Sequence, residues 1–123
     1  MDGATQLKPL TILGVTGSIG RQTLEVAAAL QIPIAGIAAN RGSDGLLASA
    51  RRVPESAVVA VDPTPEEADR LRAALGSRVG FGRDALIRLA ATPNTITVNA
   101  VVGAAGLEPT IAALGAGNRV APV

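Results

Sequence analysis

Short apolar runs alternate with stretches of helical period along the whole of this chain, and few folds accommodate that rhythm. The runs are Leu10-Thr11-Ile12-Leu13, Ile32 to Ala39, Ala57 to Val61, Val79 to Phe81 and Thr95 to Val102, with a sixth beginning at Arg119. Runs of this length, rich in Val, Ile and Ala, read as strands buried on both faces. The segments between them supply helices of about ten residues. The pattern predicts βαβ units with right-handed crossovers, which build a doubly wound parallel sheet in three α/β/α layers. No linker or low-complexity tract divides it, so residues 1–123 read as one domain.

Local signals mark the helix ends. The first helix runs from about Ile19 to Leu30, and Ser43 or Asp44 caps a second that closes on Arg51 and Arg52. Thr64-Pro65-Glu66-Glu67 is a capping box with proline at the first helical position, and Gly76 ends the helix that follows. Leu86, Ile87, Leu89 and Ala90 form the buried stripe of a fourth helix. Leu107, Ile111, Ala112 and Leu114 are expected on one side of a fifth, which closes at Gly115 to Gly117. Pro33 belongs at the start of its strand, and Pro122 is ill suited to a central one, because proline gives no N–H to a ladder.

Gly14-Val15-Thr16-Gly17-Ser18-Ile19-Gly20 joins the first strand to the first helix. Glycines there let the chain turn sharply, approach a ligand and set the helix close to the strand. A helix starting at such a turn directs unpaired N–H groups and its positive dipole end outward, a seat for phosphate. The spacing is not G-x-G-x-x-G, since Val15 stands at the first glycine position when Gly17 and Gly20 take the others. A tight turn that binds nothing is the plain alternative. Its place after the first strand, however, is where a Rossmann-like dinucleotide fingerprint belongs.

Composition removes other functions. Eleven basic and ten acidic residues give a formal net charge of +1, with no dense basic run and a single aromatic, Phe81, so no nucleic-acid footprint is present. Without cysteine or histidine there is no disulfide, no thiolate and neither of the commonest metal ligands. Met1 to Pro9 lacks the apolar core of a signal peptide, and no apolar stretch approaches the ~20 residues that cross a bilayer. A cytoplasmic protein without a membrane partner is expected. Asp62, Glu66, Glu67 and Asp69 cluster at a helix start, where capping and solvation account for them, and no metal site is assigned.

Sites that prefer NAD carry Asp or Glu about 20 residues past the glycine turn, bonded to the ribose 2′-hydroxyl. Ala38-Ala39-Asn40-Arg41-Gly42-Ser43 has no carboxylate there but offers Arg41, whose guanidinium suits a 2′-phosphate. The two features together favour NADP(H). Arg41 alone would read as an ordinary solvated arginine.

Three stretches resemble the 1-deoxy-D-xylulose 5-phosphate reductoisomerase family: Leu10 to Gly20, Ala39 to Gly42, and Asn99 to Thr110. The first contains the whole of the family's G-x-T-G-S-I-G. The last contains its V-G-A-x-G-L-x-P-T, which generic dinucleotide folds do not carry. The resemblance implies an amino-terminal NADPH-binding domain, with phosphate-side contacts at Thr16, Gly17, Ser18 and Ile19. It places the 2′-phosphate and adenosine contacts at Asn40, Arg41 and Gly42. The family has glycine, a basic residue and asparagine at these last three positions, whereas here Asn40 precedes the arginine and Gly42 follows it. Gly14 and Gly20 read as turn and packing positions.

For the whole family the resemblance implies NADPH-dependent rearrangement and reduction of 1-deoxy-D-xylulose 5-phosphate to 2-C-methyl-D-erythritol 4-phosphate. It also implies a divalent metal (Mg or Mn), a sugar-phosphate substrate and a homodimer. The family's L-A-N-K-E segment, acidic metal ligands and substrate-phosphate residues would lie beyond Val123. The chain is therefore expected to be a truncated cofactor domain, inactive alone and without catalytic residues of its own. Another NADP-dependent dehydrogenase domain and a non-catalytic nucleotide-binding module remain the alternatives.

Overall fold

The computed structural model describes residues 8–101 and 107–122. Strands and helices alternate: β1 (Leu10–Leu13), α1 (Ser18–Ala29), β2 (Ile34–Ala39), α2 (Asp44–Arg52), β3 (Ala57–Ala60) and α3 (Pro65–Leu75). A short 3-10 turn (Gly76–Arg78) leads to β4 (Val79–Phe81), α4 (Arg83–Ala90), β5 (Ile96–Asn99), α5 (Leu107–Gly115) and β6 (Arg119–Pro122). The six strands form one parallel sheet in the order β4-β3-β2-β1-β5-β6. Chain direction across the sheet reverses at β1, whose neighbours are β2 and β5. In a Rossmann-like doubly wound sheet the crevice beyond the carboxyl ends of the strands opens at that reversal.

Alternation along the strands builds the two cores. Ile12 and Ile37 point to one face, where Leu24 of α1, Leu46 of α2 and Leu71 of α3 cover them. Leu13, Ala38 and Val59 point to the other, beneath Leu86 and Leu89 of α4 and Ala113 of α5. With one phenylalanine and no tryptophan or tyrosine, these layers rest on Leu, Ile, Val and Ala. Each buried Leu or Ile contributes about 1.5–3 kcal/mol, and the many alanines contribute less while letting helices approach closely.

Three strands are shorter than the apolar runs. β2 starts after Pro33, because Gln31 adopts a left-handed conformation (φ 58°) that turns the chain into it. β3 stops at Ala60. β5 loses both ends to side chains. The Thr95 hydroxyl donates to the Thr92 carbonyl, and the Asn99 carboxamide oxygen accepts from the Val101 N–H, drawing that residue out of the ladder. Among the described residues Pro122 lies in the outermost strand of the sheet, the position where a missing N–H is tolerated.

The structure decides which side of α5 faces inward. Pro109 and Ala113 are buried, whereas Ile111 and Leu114 are 59% and 58% exposed. Apolar residues occur all round this helix, so periodicity could not select a side, and a face of small residues lets it lie close to α4. The Leu107 side chain and the segment Val102 to Gly106, which carries most of the second family motif, lie outside the described residues. So do residues 1–7 and Val123. Among the described residues no helix is long and apolar enough to cross a membrane.

Candidate functional site

The loop after β1 is held by its neighbours on both sides. The amides of Gly14 and Val15 both donate to the Ala38 carbonyl of β2, at 2.8 and 2.9 Å, and the Gly17 amide returns to the Gly14 carbonyl. Gly14 takes φ 81°, and a Cβ there would stand 3.1 Å from the Ala100 carbonyl. Only glycine meets both conditions without strain. Val15, where a dinucleotide fingerprint has its first glycine, is fully buried in the α1–α3 core. Around it, Gly17, Ser18 and Ile19 are exposed and Thr16 is half-buried, at the mouth of α1.

That mouth is chemically open. Gly17 is the N-cap residue in an extended conformation and brings no side-chain acceptor, and the first turn contains no acidic residue. The contrast with α2 and α3 is direct. Ser43 accepts from the Leu46 amide, Thr64 from the Glu67 amide, and both helices carry acids in the first turn. In α1 the first turn's N–H groups meet no capping side chain, and its dipole is not countered there by a carboxylate. An anion of the right shape satisfies both needs.

The loop after β2 lies alongside. Asn40 and Arg41 are exposed and Gly42 is buried. The Asn40 carbonyl accepts from the Asp62 amide at 2.6 Å, which ties this loop to the end of β3. A Cβ on Gly42 would lie 2.7 Å from Leu71 Cδ1 and 3.0 Å from Glu67 Cβ, so the loop presses on α3. Arg41 donates through Nε to Glu67 Oε1 at 3.1 Å, with about half its side chain exposed. The same carboxylate oxygen accepts from the Thr64 amide at 2.9 Å, completing the capping box. The Glu67 carboxyl is held below the ordinary glutamate range, first by the Thr64 amide and then by Arg41.

A small cleft opens on the α4 side of the strand ends. It is lined by Gly14, Ala39, Asn40, Val61, Arg83 and Val101, with Arg83 paired to Glu108 of α5. The turns after β1, β2 and β5 line it as the topology requires. The contributions of Val61 and Arg83 carried no sequence signal. Another surface cavity lies at the opposite end of the sheet, beside Gln31, Pro33, Arg52 and Ser56, away from the strand carboxyl ends. Among the described residues no three of His, Cys, Asp and Glu come together as a metal site would need. Glu67 and Asp69 are engaged with Arg41 and Arg72.

Comparison with known proteins agrees with this geometry. The family model for 1-deoxy-D-xylulose 5-phosphate reductoisomerase matches residues 10–122. The enzyme of that name from Cutibacterium acnes is 41% identical over 128 residues, covering 94% of this chain and 31% of the relative. The one from Mycolicibacterium smegmatis is 46% identical over 114 residues, covering 89% and 27%. The chain thus spans about a third of the length of these relatives. Among solved structures, the Zymomonas mobilis reductoisomerase in complex with NADPH superposes with a TM-score of 0.84 at 32% identity, covering 96% of this chain and 32% of that one. A reductoisomerase complex with NADPH, fosmidomycin and magnesium superposes with a TM-score of 0.77 at 32% identity, covering 93% and 29%.

Proposed function

The chain belongs to the 1-deoxy-D-xylulose 5-phosphate reductoisomerase family, and on that premise we propose that it is the family's NADPH-binding domain. The observation that carries this reading is the uncapped mouth of α1 after β1, with Arg41 in the loop that follows the neighbouring strand β2. Thr16, Gly17, Ser18 and Ile19 hold the diphosphate against the free amides of the first turn. Asn40, Arg41 and Gly42 form the end of the site that takes the 2′-phosphate and adenosine, with the guanidinium supplying charge-assisted hydrogen bonds.

The bound cofactor supplies hydride. The protein's part is to fix the nucleotide across the point where strand order reverses. In the whole enzyme we assign this domain to NADPH-dependent conversion of 1-deoxy-D-xylulose 5-phosphate to 2-C-methyl-D-erythritol 4-phosphate, by a cytoplasmic homodimer. The described residues do not fit a divalent metal. We assign metal and sugar-phosphate binding to other parts of such an enzyme, and the 123-residue chain alone is expected to bind cofactor without turnover.

Titration of the chain with NADPH and NADH tests the reading, because bound reduced nicotinamide fluoresces and the protein has no tryptophan or tyrosine. NADPH should bind tighter. Arg41→Ala should weaken NADPH by about tenfold or more, the loss of a charge-assisted contact, and leave NADH nearly unchanged. Equal affinity of the wild type for both nucleotides overturns it.

A further inference from the structure

We propose that Glu67 is a positioning residue for cofactor choice: it holds Arg41 by one edge so that the other meets the 2′-phosphate. The proposal rests on the assignment of Arg41 to that phosphate. Arg41 gives only Nε to Glu67. Both terminal nitrogens of the guanidinium remain for a bidentate grip on phosphate oxygens, the geometry in which arginine binds them best.

The anchor is itself fixed. Glu67 Oε1 takes the Thr64 N–H as well as the arginine, and the Thr64 hydroxyl takes the Glu67 amide. The carboxylate is therefore built into the first turn of α3 and does not wander as a surface glutamate would. Gly42 lets the arginine-bearing loop lie against that turn, since any side chain there would strike Leu71 Cδ1 and Glu67 Cβ. A free arginine loses much rotamer freedom on gripping a ligand, and one already tethered loses less. The gain falls on NADPH alone, because NADH offers Arg41 no phosphate. A carboxylate near a phosphate also repels it, but Arg41 is about half exposed and solvent screens that repulsion.

The experiment measures the ratio of NADPH to NADH affinity, together with melting temperature, for a set of variants of the chain. Glu67→Ala should lower the ratio by about three- to tenfold, the cost of ordering one long side chain at the moment of binding. Glu67→Gln should keep it within about twofold, because the amide oxygen still accepts from Thr64 and Arg41. Thr64→Ala, which breaks the other half of the capping box, should lower the melting temperature and leave the ratio alone. In an Arg41→Ala background, Glu67→Ala should change nothing further in the ratio. Glu67→Met gives the same reading if the alanine variant does not fold.

An unchanged ratio in Glu67→Ala, with Arg41→Ala still erasing it, overturns the role of Glu67 and leaves that of Arg41 intact. A higher ratio in both Glu67 variants means that repulsion dominates, which overturns it too. So does a fall in Thr64→Ala equal to that in Glu67→Ala, which would mark a purely structural effect. A wild type that binds neither nucleotide, or both equally, removes the assignment of Arg41 and this inference with it.

Discussion

Gly20 of α1 lies beneath the Gly14–Val15 peptide, so that a Cβ on it would stand 2.7 Å from the Val15 Cα. Gly17, three residues earlier, has only the Gly14 carbonyl oxygen at 3.5 Å, an ordinary contact. The two glycines therefore have different reasons to be glycine. Gly20→Ala should destabilise the chain by about 1–3 kcal/mol in chemical denaturation, as overpacking against backbone does. Gly17→Ala should cost less than about 1 kcal/mol yet weaken NADPH, because its methyl would stand in the proposed path of the diphosphate to the amides.

Arg78 should be irreplaceable by lysine. Its guanidinium donates to the Ser56 carbonyl through Nε, and to the Ala50 and Val53 carbonyls through one terminal nitrogen. It thereby closes the carboxyl end of α2 and the turn that follows. Arg78→Met should cost about 1–3 kcal/mol. Arg78→Lys should recover little of that, since an ammonium lacks the planar fork that reaches three carbonyls. Thermal melts of the two variants decide it.

Asn118 ties α4, β5 and the entry to β6 together. Buried at 6% exposure, it donates to the Ala90 and Thr92 carbonyls and accepts from the Thr95 amide. Asn118→Leu removes all three of these hydrogen bonds, leaving the Thr92 carbonyl only the Thr95 hydroxyl, and should cost about 2–4 kcal/mol. Urea denaturation should show the loss as a lower midpoint with an unchanged slope.

The stabilising part played by the Glu67 carboxylate should vanish in acid. Its folded pKa is lowered, chiefly by the Thr64 amide and then by Arg41. The contribution is therefore complete above the ordinary glutamate value and is lost as pH falls through the lower folded value. The stability difference between wild type and Glu67→Gln should be constant near neutrality and shrink below that range. Denaturation curves at a series of pH values test this. A difference that grew with acidity would contradict the assigned direction.

Legibility from the sequence followed the distance between partners along the chain. The Thr64–Glu67 capping box, the Ser43 cap and the turn at Gly14 involve residues a few positions apart, and each stands where the sequence puts it. The parallel, doubly wound class followed from alternation, whereas the strand order is seen only in the structure. The clamp of Arg78, the junction at Asn118 and the pairing of Arg41 with Glu67 join residues more than twenty positions apart. No local pattern encodes such pairs, so Glu67 read only as a cap. For α5 the difficulty was of another kind: a helix apolar on every side gives no preferred direction, and Pro109 and Ala113, not Ile111 and Leu114, face inward.

The two rims of the sheet are blunt. β4 has only three residues, and β6 carries Pro122, which has no N–H to offer a newcomer. Neither margin is a good template for stacking copies of the folded chain into fibrils. Any insoluble material this protein deposits should contain chains that have lost their fold, and its amide infrared signature should differ from that of the native sheet.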